Sequence, residues 1–130
     1  MLRATRPLFA AAIKPLKATT GITGLEPVAD PLPVLRSAYQ TTLNLLENLP
    51  STSVYRQATE ALMKHKLAVV EKAGGDVKAA EAELGMAELA IEEAKTEQGL
   101  IGKMIEWKPW EKLEQEAPKD QWRYFDPAEE

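Results

Sequence analysis

The chain has no cysteine and a single histidine. Without cysteine there are no disulfides and no thiolate metal sites. With one histidine, zinc and haem centres built mainly from Cys and His are also excluded. Long apolar runs are missing. The longest, Leu8 to Ile13, has six residues, too short for a secretory signal core and for the roughly twenty that span a bilayer. A basic excess is missing as well. The formal net charge is −4, which argues against nucleic acid, whose phosphates demand a basic face. No stretch alternates apolar and polar residues as a half-buried strand does. Gly21 and Gly24 lie among threonines, but no Gly-Lys-Ser/Thr ending follows and the spacing is not a dinucleotide fingerprint.

The 130 residues suit one domain. Both ends are rich in proline and poor in periodicity, which leaves roughly eighty residues for a folded body. A body of that size buries only about 60–65% of its unfolded surface and is marginal alone. With no staple, it is expected to complete its burial against another protein. Charge is unevenly spread. Residues 1–25 hold Arg3, Arg6, Lys14 and Lys17 and no acid, so the rest of the chain is strongly acidic. The arginine-containing, hydroxylated, acid-free opening has the character of a mitochondrial targeting segment. An ordinary basic tail, or an import signal that stays attached and docks on a partner, is the alternative. Pro7 and Pro15 confine any helix there to short turns. Thr19 to Leu25 reads as a turn or docking strap, and Glu26 to Pro33 as a linker.

Three helical patterns make up the body, 34–106. In the first, Asp30 is a candidate N-cap and Pro31 or Pro33 an early helical residue. Leu35, Tyr39, Thr42, Leu46 and Leu49 form its inner stripe, widened by Ala38 and Leu45, and Pro50 ends it. Ser51 to Ser53 offer cap hydroxyls to the second, whose expected inner face is Tyr55, Ala58, Thr59, Leu62, Val69 and Ala73. Lys66 lies on that face, its stem along the core edge. Gly74 and Gly75 stop the helix. Asp76 caps the third. Val77, Ala80, Leu84, Ala87, Ile91, Ala94, Gln98, Ile101 and Ile105 keep a 3-4 alternation, and Gly85 predicts a break between a segment 76–84 and a longer one from about 86 to 106. The second pattern is basic and the third acidic, so their adjacency is favoured. The expected fold is all-α: a small three-helix bundle, its third helix broken near Gly85, between an N-terminal arm (1–33) and a C-terminal arm (107–130).

No catalytic constellation emerges. His65 lies among Lys64 and Lys66 with no acid at helical spacing to orient it. Glu81, Glu83, Glu88, Glu92, Glu93 and Glu97 could offer oxygen to a hard metal. No Glu-x-x-His pair accompanies them, and a solvated acidic face is the plainer reading. No catalytic, cofactor-binding or metal residue is therefore assigned. The informative stretch is Glu106-Trp107-Lys108-Pro109-Trp110-Glu111. It ends the longest helix with two of the three tryptophans and a proline. Trp122 and Tyr124 continue the aromatic series into the tail. Tryptophan and tyrosine are typical interface anchors.

The ordered set of Thr19-Thr20-Gly21 with Gly24-Leu25, Leu49-Pro50, Tyr55-Arg56, Thr59, Lys66-Leu67-Ala68, Asp76-Val77, Trp107-Lys108-Pro109-Trp110-Glu111 and Asp120-Gln121-Trp122 closely resembles one family. It is similar to the alpha-subcomplex subunit 5 family of mitochondrial NADH:ubiquinone oxidoreductase, respiratory complex I. The likeness covers roughly residues 18–125, and the basic head is longer than in shorter-headed members. The resemblance implies an accessory, non-catalytic subunit of the matrix-facing peripheral arm. Its partners would be core and accessory subunits near the quinone-reducing module. It would sit peripherally on the matrix side of the inner membrane, without cofactor and without a transmembrane segment. Trp107, Lys108, Pro109, Trp110, Trp122 and Tyr124, with Thr20 and Gly21 in the strap, are the candidate partner-binding residues. Trp107 is expected to pack partly on the bundle, with Trp110 and Trp122 facing the partner. A free matrix helical adaptor or assembly chaperone is the alternative function.

Overall fold

A computed structural model describes residues 17–119 and Gln121. The expectations for the basic head up to residue 16, and for Trp122 and Tyr124, lie outside the described residues. Among these residues four helices follow in order: α1 Pro31–Leu46, α2 Val54–Ala73, α3 Val77–Leu84 and α4 Ala87–Trp107. The class is all-α, but the helix count is four rather than three. The third pattern is two separate helices. At the break, Gly85 holds φ 77° and ψ −164°, a region essentially closed to residues with a Cβ.

Each end has a local cause. Pro31 and Pro33 open α1, where a missing N–H costs nothing. Asp30 occupies the N-cap position, yet its side chain makes no cap bond. The helix stops at Leu46, ahead of Pro50, in a tightened turn where Leu49 N–H donates to the Leu46 carbonyl at 3.1 Å. The buried Ser53 hydroxyl accepts the Arg56 N–H at 3.4 Å to start α2. Gly74 at φ 57° ends it. The Asp76 carboxylate accepts the Lys78 N–H at 2.9 Å to start α3.

α1 is the central helix, packed on α2 along one side and on α4 along the other, while α3 bridges α2 and α4. Its whole expected stripe is buried: Leu35, Tyr39, Thr42, Leu46 and Leu49. The main cluster joins Leu32, Leu35 and Tyr39 to Met63 and Val70 of α2, Ala80 of α3, and Ala87, Ala90, Ile91 and Ala94 of α4. A smaller cluster at the far end holds Leu46, Leu49 and Ile101. Gln98 interrupts the apolar stripe of α4 for a reason. Its amide donates to the Ala38 carbonyl at 3.1 Å and to the Thr42 hydroxyl at 3.3 Å, tying α4 to α1.

On α2 the inner face is rotated from the expected one. Thr59, Met63, Val69 and Val70 are buried, whereas Ala58 is exposed and Leu62 is 48% exposed. The neighbour is α1 rather than α4 alone, so the core-facing line runs through Met63 and Val70. Between α2 and α4 the contacts are polar. Lys66 Nζ reaches Glu93 at 3.0 Å and the Tyr55 hydroxyl donates to Glu97. Arg56 donates to the carbonyls of Leu49 and Glu47, satisfying backbone acceptors just past the end of α1.

Tyr39 is fully buried, and among the described residues its hydroxyl has no hydrogen-bond partner. Burial first, and the charge of Glu93 second, push its pKa up to about 12 from an ordinary 10.0. The folded state therefore holds this proton more tightly than the unfolded one. Its contribution is fully present below pH 10 and is lost as pH rises toward 12. Tyr39→Phe removes the unpaired polar group and should raise stability by about 1 kcal/mol. It should also flatten the alkaline decline. Urea unfolding of both proteins at pH 8 and pH 11 measures both effects. A variant less stable than the parent at both pH values would show that the hydroxyl has a partner after all.

Candidate partner interface

The C-terminal end of α4 is where helix geometry and chain direction part company. The inner line of α4 runs through the buried Ala94 and Ile101 and the half-buried Gln98 and Met104, and Trp107 lies off it. Lys108 takes the left-handed conformation, φ 50°, and its N–H donates to the Met104 carbonyl at 3.0 Å. It is the one non-glycine residue with positive φ among those described. The turn is closed by the Glu111 N–H on the Lys108 carbonyl at 3.0 Å. Pro109, which cannot continue a helix, sits within this turn.

The result reverses the expected division of the tryptophans. Trp107, in the last turn of α4, is 62% exposed. Trp110 folds back instead and packs against Leu46, Leu49 and Ile101. The αL turn at Lys108 sends the chain back over α1, which brings Trp110 to the small cluster. Ile105, placed on the inner stripe by its spacing, is 39% exposed, and Leu113 beyond the turn is 75% exposed. Trp107, Ile105 and Leu113 are therefore solvent-facing apolar side chains around one helix end. Lys108 and Pro109 are exposed with them, and Lys103–Glu106 and Lys108–Glu111 lie nearby as surface pairs at 3.0 and 3.7 Å.

The strap is the second element. Thr20 is buried, and its hydroxyl donates to the Leu25 carbonyl at 2.6 Å and accepts the Ile22 N–H at 3.2 Å. That hydroxyl spends its donor on shaping the loop. Gly21 is exposed at φ 75°, and Ile22 is 42% exposed at the loop surface. The loop thus has a built shape where a flexible turn was one expectation. The structure does not bring strap and tryptophans together. The strap lies against the bend between α3 and α4, while Trp107 ends α4.

Sequence reasoning missed one residue of this region. The helical pattern places Glu88 among the solvated glutamates, but it is 2% exposed. One of its oxygens meets Lys17 Nζ at 3.0 Å and the other accepts the Val28 N–H at 3.4 Å. Lys17 also pairs with Glu81, which accepts the Ala87 N–H at 3.0 Å. Burial alone would raise the Glu88 pKa, but Lys17 and the two backbone N–H groups, its own and that of Val28, outweigh it and hold the carboxyl below the usual range. Glu81 is lowered too, first by the Ala87 N–H and then by Lys17. Lys17 is raised, chiefly by its bond to Glu81. Since Lys17 is 71 residues from Glu88, no local pattern could have revealed the pair.

Among the described residues no group of three or more His, Cys, Asp and Glu is placed to hold a metal ion. No described helix is long and apolar enough to cross a membrane. Fold and site define a small all-helical module with an exposed tryptophan at the C-terminal end of α4 and a shaped strap against its N-terminal end. Residues 24–93, more than half of the chain, match the family described as the ETC complex I subunit conserved region. The chain is 41% identical to NADH dehydrogenase [ubiquinone] 1 alpha subcomplex subunit 5 of Bos taurus, over 84% of this chain and 95% of that protein. It is 42% identical to the Mus musculus protein of the same name, with the same coverage. It is 39% identical to the probable mitochondrial subunit 5 of Arabidopsis thaliana, over 87% of this chain and 70% of that protein. This chain belongs to the NADH dehydrogenase 1 alpha subcomplex subunit 5 family.

Proposed function

We propose that this protein is an accessory, non-catalytic subunit of mitochondrial NADH:ubiquinone oxidoreductase. It stabilises the matrix-facing peripheral arm, near the quinone-reducing module, by burying its exposed apolar surface on neighbouring subunits. It is held at the matrix side of the inner membrane through those subunits alone. Electron transfer from NADH to ubiquinone is the work of the complex.

The observation that carries this reading is identity near 40% over most of the chain to relatives that bear the complex I subunit name. The exposed Trp107, Ile105 and Leu113 support it, since a short helical body with little core of its own gains stability by covering such groups. Native gel electrophoresis of solubilised mitochondria tests it. The chain should migrate with the mature complex at fixed stoichiometry. Migration with assembly intermediates alone would instead identify an assembly chaperone, and migration as a free chain an adaptor.

A further inference from the structure

We propose that residues 17–28 form a detachable strap, bolted shut over the bend between α3 and α4 by the positive charge of Lys17. One ammonium reaches two helices: Glu81 of α3 and, at 3.0 Å, Glu88 of α4. Glu81 in turn accepts the first N–H of α4, from Ala87, at 3.0 Å. The other Glu88 oxygen holds the far end of the strap through the Val28 N–H at 3.4 Å. Both ends of the strap thus converge on one carboxylate, 2% exposed to solvent.

That carboxylate makes the latch steep. With the Lys17 charge in place, burying Glu88 is compensated. Without it, a carboxylate only 2% exposed keeps, among the described residues, backbone N–H groups as its bonding partners, and such a site opens to water sooner than it stays closed. The strap between its anchors offers little resistance. Thr19, Gly21 to Gly24 and Glu26 are exposed, so few apolar contacts hold it down besides Val28 on the main cluster and the buried Thr20. Segments with so few buried contacts open locally at low cost. The Thr20 bonds to Leu25 and Ile22 are internal to the strap, so its loop keeps its shape as it lifts. Lifting exposes Glu88 and Ile91 further, since Gly24, Leu25 and Val28 form the other wall of the cleft that these two residues line. A change that neutralises Lys17 Nζ opens the strap, and a cationic group from a neighbouring protein can replace it on Glu88.

Amide hydrogen exchange on the full chain tests this, with Val28, whose N–H is bonded to Glu88, as reporter of the strap and Tyr39 and Ile101 as reporters of the body. In Lys17→Met the Val28 amide should exchange at least about tenfold faster while the body amides keep their rates, the signature of a local opening. Lys17→Arg, which keeps the charge, should retain most of the protection. Glu81→Gln, which weakens the α3 half of the latch, should give a smaller acceleration confined to the strap. Unchanged exchange at Val28 in Lys17→Met would overturn the proposal. So would equal acceleration of strap and body, which would make Lys17 a general stabiliser rather than a latch.

Discussion

Leu35→Ala is expected to lower the stability of the isolated chain by about 2–5 kcal/mol, the range for truncating a fully buried leucine whose cavity cannot collapse. Leu35 has 0% exposure and sits on the middle helix, between Met63 and Val70 on one side and Ala87, Ala90 and Ile91 on the other. Those neighbours belong to two different helices whose spacing is set elsewhere: by Gln98 on Ala38 and Thr42, by Arg56 on Leu49, and by the glycine break at Gly85. The walls of the cavity are therefore held apart. Domains of this size have only about 5–15 kcal/mol in total, often less, so the loss leaves a substantial unfolded population. Urea denaturation followed by circular dichroism measures it. Val34→Ala, one residue earlier but 41% exposed, should change stability by no more than about 0.5 kcal/mol. Equal effects at the two positions would contradict the central placement of α1.

Trp107→Ala is expected to separate folding from assembly. The indole is 62% exposed, so its removal should leave the stability of the free chain within about 0.5 kcal/mol. If the indole is covered by a neighbouring subunit, its loss removes an anchor worth about 2 kcal/mol or more, some thirtyfold in affinity. The amount of assembled complex should fall, while the NADH:ubiquinone turnover of each complex that does assemble stays unchanged. Trp110→Ala should do the opposite at the level of the free chain. Trp110 covers Leu46, Leu49 and Ile101, and its loss should cost the fold about 1–3 kcal/mol, less than a fully buried tryptophan would. Reduced turnover per assembled complex in Trp107→Ala would tie this helix end to the chemistry and contradict a purely structural role.

Much of the fold was legible in the chain. The stripe of the first pattern predicts Leu35, Tyr39, Thr42 and Leu46, the buried residues of α1 beyond its opening Pro31 and Leu32, because a central helix with core on two sides keeps a wide and regular apolar face. Ser53, Asp76, Gly74 and Gly85 mark helix ends through local backbone chemistry, which sequence carries directly. The inner face of α2 was not legible. Leu62 and Met63 are adjacent and similarly apolar, and what decides between them is where α1 lies. The same limit explains Ile105. It keeps the period of α4, but α1 ends at Leu46, so little of the core remains beside it. The tryptophans stand out in the chain, but which way each one faces does not. That depends on Lys108 adopting a left-handed conformation usually taken by glycine, and a lysine carries no signal for it. Glu88 looked like one more surface glutamate, since its partner Lys17 is distant in sequence.

The exposed end of α4 is expected to be covered when the protein is in its working assembly. Hydroxyl-radical footprinting with mass spectrometry, applied to the free chain and to the purified complex, tests this most directly. Trp107 should be oxidised readily in the free chain and strongly protected in the complex, with Trp110 changing much less. Equal oxidation of Trp107 in the two states would show that this surface is not where the protein is held.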